Sequence, residues 1–133
     1  PHKGVQAWVR DLNKFYADHP AMYEKQFNPE GFEWVEHGDW ENSVLAYLRK
    51  GEKAEENLLV VCNFTPTTRQ GFRVGVPAAG KWKEVLSSDA KIYNGTGDHL
   101  NGTVKADKQE WNGREHSIEF TLPPLATVIF QKV

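Results

Sequence analysis

The chain has 133 residues, with 16 Lys+Arg against 18 Asp+Glu, five His and one Cys. That is the length of one domain, enough to bury about two thirds of the unfolded surface around a single core. A net charge of −2 and a pI near 6.2 speak against nucleic acid as a partner, since that needs a basic face. The single cysteine excludes an internal disulfide framework, and no apolar run approaches the roughly 18 residues of a membrane span. No basic stretch followed by an apolar one opens the chain, so no signal peptide is expected. The opening residue is Pro1, not Met, which leads us to expect a piece of something longer.

In chain order, Val5, Trp8, Val9, Leu12 and Tyr16 recur as one stripe of a 3.6-period helix. His19-Pro20 should end it, because the residue before proline avoids the α region. Ala21 to Lys25 is placed as one more turn behind Pro20. A single helix of this length cannot hold such a stripe alone, so a partner surface is required.

The rest reads as strands. Asn28-Pro29-Glu30-Gly31 is turn chemistry. Phe32 to Glu36 alternates, and Ser43 to Arg49 follows across a short polar connection, as in a hairpin. Leu58 to Phe64 is a continuous apolar run, the pattern of a central strand buried on both faces. Phe72, Val74 and Val76 alternate, Lys81 to Leu86 follows a turn, and Ser117 to Leu122 alternates again. Pro123-Pro124 breaks that strand and Ala126 to Gln131 closes the domain. Ser88 to Glu115 is rich in Gly, Asn, Asp and Thr, with one short strand placed near Thr103 to Ala106. Seven or eight short strands at this spacing imply a mainly β fold, an antiparallel sandwich, with no internal repeat and no low-complexity linker.

The search for chemistry returns no catalytic centre. The five histidines include no i, i+4 helical pair and there is no Cys-x-x-Cys, so no metal site is expected. Cys62 falls in the apolar run and reads as an inert core thiol. Asn94-Gly95-Thr96-Gly97 lacks the Lys of a phosphate loop. Three Asn-x-Thr sequons, at Asn63, Asn94 and Asn101, read as chance matches. Glu33 and Glu36 lie three apart and so face opposite sides of a strand. Asp39 and Glu41 sit at a solvated tip. Neither pair has the apolar pocket that would raise one carboxyl into a general acid. The remaining signal is aromatic: five Trp, four Tyr and seven Phe in a chain of mean hydropathy −0.63. Such rings either fill a β core or stack on sugar faces.

Several blocks carry a resemblance. Gly4-Val5-Gln6-Ala7-Trp8-Val9-Arg10-Asp11-Leu12-Asn13 resembles the last helical segment of bacterial glycogen branching enzymes. Phe27-Asn28-Pro29-Glu30-Gly31-Phe32-Glu33-Trp34, Val61-Cys62-Asn63-Phe64-Thr65-Pro66 and Lys81-Trp82-Lys83-Glu84-Val85-Leu86-Ser87-Ser88-Asp89 are similar to later signatures of that family. His116-Ser117 with Leu122-Pro123-Pro124-Leu125-Ala126-Thr127 matches its C-terminal end. The blocks keep the family's order over essentially the whole chain.

The resemblance implies a C-terminal segment of an α-amylase-type enzyme. Residues 1–26 would be the terminal helical segment of a missing (β/α)8 catalytic barrel, and 27–133 the C-terminal all-β sandwich. Full enzymes of the family transfer an α-1,4-glucan segment to a 6-hydroxyl, forming α-1,6 branches by a retaining mechanism. Their three catalytic carboxylates lie in the barrel, and no position here matches them. The expectation is therefore a non-catalytic structural domain without cofactor, cytoplasmic, with α-glucan and the barrel of its own chain as partners. An independent carbohydrate-binding module is the alternative. For glucan binding, Trp34 is the first candidate, since it shares a strand face with Phe32. Trp40, at the hairpin tip and outside the family's pattern, is the second. Trp111 ranks behind them, and Trp8 and Trp82 are assigned to packing.

Overall fold

A computed structural model describes residues 2–133. One helix, α1 (Lys3–Asp18), precedes eight strands: β1 (Phe32–Glu36), β2 (Val44–Arg49), β3 (Leu58–Asn63), β4 (Arg69–Val76), β5 (Lys81–Ser87), β6 (Thr103–Lys105), β7 (His116–Leu122) and β8 (Thr127–Lys132). Six of them form a sheet in the order β1-β2-β3-β8-β5-β6, and β4 pairs with β7 in a second sheet. Every pairing is antiparallel. The chain is therefore the expected mainly β sandwich with one preceding helix.

β3 is the central strand its apolar run implied. Leu59 and Val61 point into the core between the sheets, with Val44, Ala46, Leu48, Val74, Ile118, Phe120, Val128 and Phe130. Leu58 and Val60 point to the opposite face, where they meet Phe15, Ala21 and Ile129. The strand ends at Asn63, one residue before the expected Phe64, which is exposed. Asn63 itself is buried. Its amide donates to the Thr67 and Pro123 carbonyls at 2.9 and 3.0 Å and accepts from the Thr65 backbone N–H and hydroxyl. With all its hydrogen-bonding capacity spent inside, it is no glycosylation acceptor. Trp82 is fully buried, its indole N–H donating to Ala78 O at 3.2 Å. Cys62 is only half-buried, at the margin of the helix-side cluster.

The helix departs from expectation in an informative way. It ends where Pro20 requires, with His19 extended at φ −118°, ψ 103°. A short 3-10 turn at Pro20–Met22 follows, and the Met22 carbonyl accepts from Arg49 at 2.8 Å. The buried face of α1, however, is Gly4, Ala7 and Phe15, while Val5, Val9 and Tyr16 are exposed. The seat is thus rotated by about one residue, roughly 100°, from the apolar stripe. Small side chains explain it: a Cβ on Gly4 would lie 2.6 Å from the Tyr93 carbonyl oxygen, so only glycine allows the helix to lie this close. Trp8 packs edge-on against Tyr93 at 4.9 Å, and the Tyr93 hydroxyl donates to Asp11 at 2.7 Å. Burial, then that bond to a carboxylate, pushes the Tyr93 phenol up to about 12. The helix is docked on the sheet with Val5 and Val9 of its expected stripe bare, while the exposed Tyr16 meets Tyr23 at 5.7 Å and donates to Gln26 at 3.1 Å.

Apart from the short strand β6, which pairs with β5, the polar stretch 88–115 is ordered by turns and side-chain hydrogen bonds. Asp89 accepts from the Thr96 hydroxyl and N–H at 2.7 and 3.2 Å, closing the Asn94–Gly97 loop. Asn101 ties Glu84 to both the N–H and the carbonyl of Thr121.

Candidate functional site

Strand β1 is an edge of the six-stranded sheet, and its two sides carry different chemistry. On the side that also holds the helix, Phe32 and Trp34 share a face, as period-two alternation requires. Their rings meet at 5.0 Å and 88°. Tyr47 on β2 lies directly across from Trp34. It stacks on Phe32 at 5.1 Å and meets Trp34 at 6.0 Å and 82°, while His37 closes the far end at 5.5 Å from Trp34. Trp34 therefore stands perpendicular to a Phe32–Tyr47 stack and forms a corner of rings. It is 46% exposed. Tyr47 is more deeply set, and burial pushes its phenol up.

Trp40 sits apart. It is 80% exposed, in the connection between β1 and β2, and among the described residues it has no ring partner. Asp39 organises that connection by accepting from the Asn42 amide at 2.9 and 3.1 Å. The structure places both expected glucan-contacting tryptophans at the surface but does not join them. Phe27, the first residue of the block that carries Trp34 and not itself a glucan candidate, is almost wholly exposed.

The other side of β1 carries ions. A bulge between Trp34 and Glu36 interrupts the alternation, so the expected separation of Glu33 from Glu36 does not hold. Both carboxylates reach one hairpin: Glu33 accepts from Arg114, and also from Lys50, and Glu36 accepts from Asn112 at 3.0 Å. The Lys50 ammonium, aided by Arg114 and opposed by burial, holds the Glu33 carboxyl below its usual range. A carboxyl held ionised is the opposite of a general acid, so Glu33 is not placed for that role.

The stretch read from the sequence as a polar loop around Trp111 is a tight hairpin. Trp111 and Arg114 exchange both backbone hydrogen bonds, at 2.9 and 3.0 Å, around Asn112 and Gly113. Those two residues have φ of 51° and 73°, the backbone of a type I′ Asn-Gly turn. Asn112 accepts from the Gly75 N–H at 2.8 Å, and a Cβ on Gly75 would lie 2.3 Å from the Trp111 carbonyl oxygen. Trp111 is presented 44% exposed on a hairpin bolted to β1 and β4. The Asn-Gly dipeptide was the available signal. Among the described residues no cluster of His, Cys, Asp and Glu could hold a metal ion, and no helix is long and apolar enough to cross a membrane.

Residues 34–133 match the family described as the α-amylase C-terminal all-β domain. The 1,4-alpha-glucan branching enzyme GlgB of Aquifex aeolicus is 50% identical over 127 residues, covering 96% of this chain and 20% of its own length. That of Rubrobacter xylanophilus is 49% identical over 130 residues, covering 98% of this chain and 18% of its own. The chain thus spans about a fifth of the length of these curated relatives. Among solved structures, an α-amylase from H. orenii superposes with a TM-score of 0.55 at 22% identity, over 93% of this chain and 19% of that one, a likeness of fold.

Proposed function

Since the chain belongs to the α-amylase C-terminal all-β domain family, we propose that it is the C-terminal, non-catalytic domain of a glycogen branching enzyme and that it holds α-glucan on the Trp34 ring corner. The observation that carries the reading is that half-exposed corner: Trp34 standing over Phe32 and Tyr47, on an edge strand open to solvent. Flat rings at an accessible edge suit the apolar C–H face of a pyranose, with little rotamer freedom lost on binding. The high identity to branching enzymes over nearly the whole chain supports the parent activity. The commitment of Glu33 to Lys50 and Arg114 supports the absence of a catalytic pair here.

On this reading residues 1–26 close the catalytic barrel and 27–133 form the accessory sandwich, in a cytoplasmic enzyme. The exposed stripe of Val5, Val9 and Tyr16 is the surface that the barrel covers. The second reading, an independent carbohydrate-binding module, is favoured by the docking of α1 onto the sheet through Gly4, Ala7 and Phe15. A module complete in itself would still have to expose that stripe, which the first reading explains.

Two measurements test the proposal. Incubated with amylose, the chain alone should form no α-1,6 linkages, and new branches would overturn the non-catalytic assignment. Titrated with maltoheptaose, it should bind weakly, and Trp34→Ala should lower affinity roughly tenfold, as expected for truncation of a ring anchor. Binding untouched by that change would remove Trp34 from the site.

A further inference from the structure

Beneath the Trp111 hairpin, between β1 and the two-stranded sheet, lies a cleft of about 540 Å³. That volume falls inside the range of about 300–1,000 Å³ typical of small-molecule sites. Its mouth is set by a bulge in β4: Arg69 pairs with Leu122 and Phe72 with Phe120, which leaves Gln70 and Gly71 out of register. Bulges of this kind open a sheet and re-aim side chains.

Most charges on its walls are spent internally; the exception is Arg69, whose Nη2 reaches the Asn42 carbonyl and the Thr65 hydroxyl at 3.4 Å while its buried Nε has no partner among the described residues. Glu36 takes hydrogen bonds from Asn112 and the Gly38 N–H, and Asp39 from Asn42. Arg73 is held by Asp107, Glu119 and the Ser117 hydroxyl. With two acids offset by Arg69 and Arg73, the cleft has no net preference for an ion. What remains available is different in kind. The Trp111 ring is exposed on its rigid hairpin, and Gln70 and Gln109 are exposed, with side-chain amides that make no hydrogen bond within the described residues. A planar amide presents a donor and an acceptor side by side, the pattern that matches neighbouring hydroxyls of a sugar. A fixed ring beside free amides in a charge-balanced cleft suits a neutral polyhydroxylated ligand.

We propose that this cleft is a second carbohydrate subsite, in which Trp111 stacks on a glucose unit and Gln70 and Gln109 bind its hydroxyls. The glucan identity rests on the function proposed above, whereas the cleft is independent of the Trp34 corner, which lies on the opposite side of β1. The bulge and the hairpin set the cleft and the ring before any ligand arrives, so the ordering cost left for binding is that of the two glutamine side chains.

The test is a maltotriose titration of the ¹⁵N-labelled chain, read at the indole N–H signals of its five tryptophans and at the glutamine side-chain amides. The Trp111 indole and the Gln70 and Gln109 amides should shift saturably, and should do so equally in a Trp34→Ala variant. Gln70→Ala, an exposed change that spares the fold, should weaken the Trp111 response roughly threefold or more, as expected for loss of one well-placed hydrogen bond. A static Trp111 signal, or a Trp111 shift abolished by Trp34→Ala, overturns the subsite. If Trp34 shifts and Trp111 does not, the cleft fails and the corner stands; if Trp111 alone shifts, the corner fails and the cleft stands.

Discussion

Replacing Asn112 by alanine should loosen the hairpin that presents Trp111. The amide accepts from the Gly75 N–H at 2.8 Å and donates to Glu36 at 3.0 Å. Stranding the donor of the buried Gly75 costs about 1–3 kcal/mol, and the bond to Glu36 adds about 1 because water can replace it. Asn112 also has φ 51°, and an alanine forced into that left-handed region costs about 1 kcal/mol more than asparagine. The expected loss is about 3–5 kcal/mol, a fall in Tm of roughly 12–20 °C for a domain of this size. Asn112→Gly loses the same hydrogen bonds but adopts the turn freely, so it should be milder by about 1 kcal/mol. Urea unfolding followed by tryptophan fluorescence measures both. Asn112→Ala within about 0.5 kcal/mol of the parent would refute the reasoning. Asn112→Gly as damaging as Asn112→Ala would refute the part assigned to the turn.

Along the helix, Phe15→Ala should cost about 3–5 kcal/mol, because Phe15 fills the cluster with Leu58, Val60 and Ile129. Val9→Lys, on the bare stripe, should change stability by less than about 0.5 kcal/mol, and the reverse order in thermal melts would mean that α1 seats on its apolar stripe after all. The stability gap between the parent and Glu33→Gln should depend on pH. Glu33 is held below its ordinary value of 4.5 in the fold, chiefly by Lys50. Its contribution is therefore fully present above that value and is lost as pH falls through the depressed one. Denaturation at pH 7 and at stepwise lower pH should show the gap narrowing, and a gap that widens on acidification would contradict the ion-pair assignment.

β4 and β7 were legible because each faces one core: Val74 and Val76, and Ile118, Phe120 and Leu122, alternate and all point between the sheets, while β3, buried on both faces, showed as a continuous apolar run. Trp34 was legible for the same reason, since period two places it beside Phe32. Its partner Tyr47 was not, because the cross-strand register emerges only when β1 pairs with β2. Bulges in β1 and β4 leave no mark on apolar patterning, yet they bring Glu33 and Glu36 to one hairpin and open the cleft beneath Trp111. The stretch 88–115 was opaque because Asp89, Asn101 and Asn112 hold it by side-chain hydrogen bonds, which have no period. In α1 the apolar stripe was read correctly as a pattern. Its burial was not, since Gly4 and Ala7 give the helix a closer seat than Val5 and Val9 could.

The most direct test of a non-catalytic, glucan-holding domain is native electrophoresis of the chain through gels with and without glycogen. Glycogen should retard the parent chain, Trp34→Ala should recover part of the mobility, and the Trp34→Ala, Trp111→Ala double variant should migrate as though no glycogen were present. A parent chain whose mobility is the same in both gels would contradict the account.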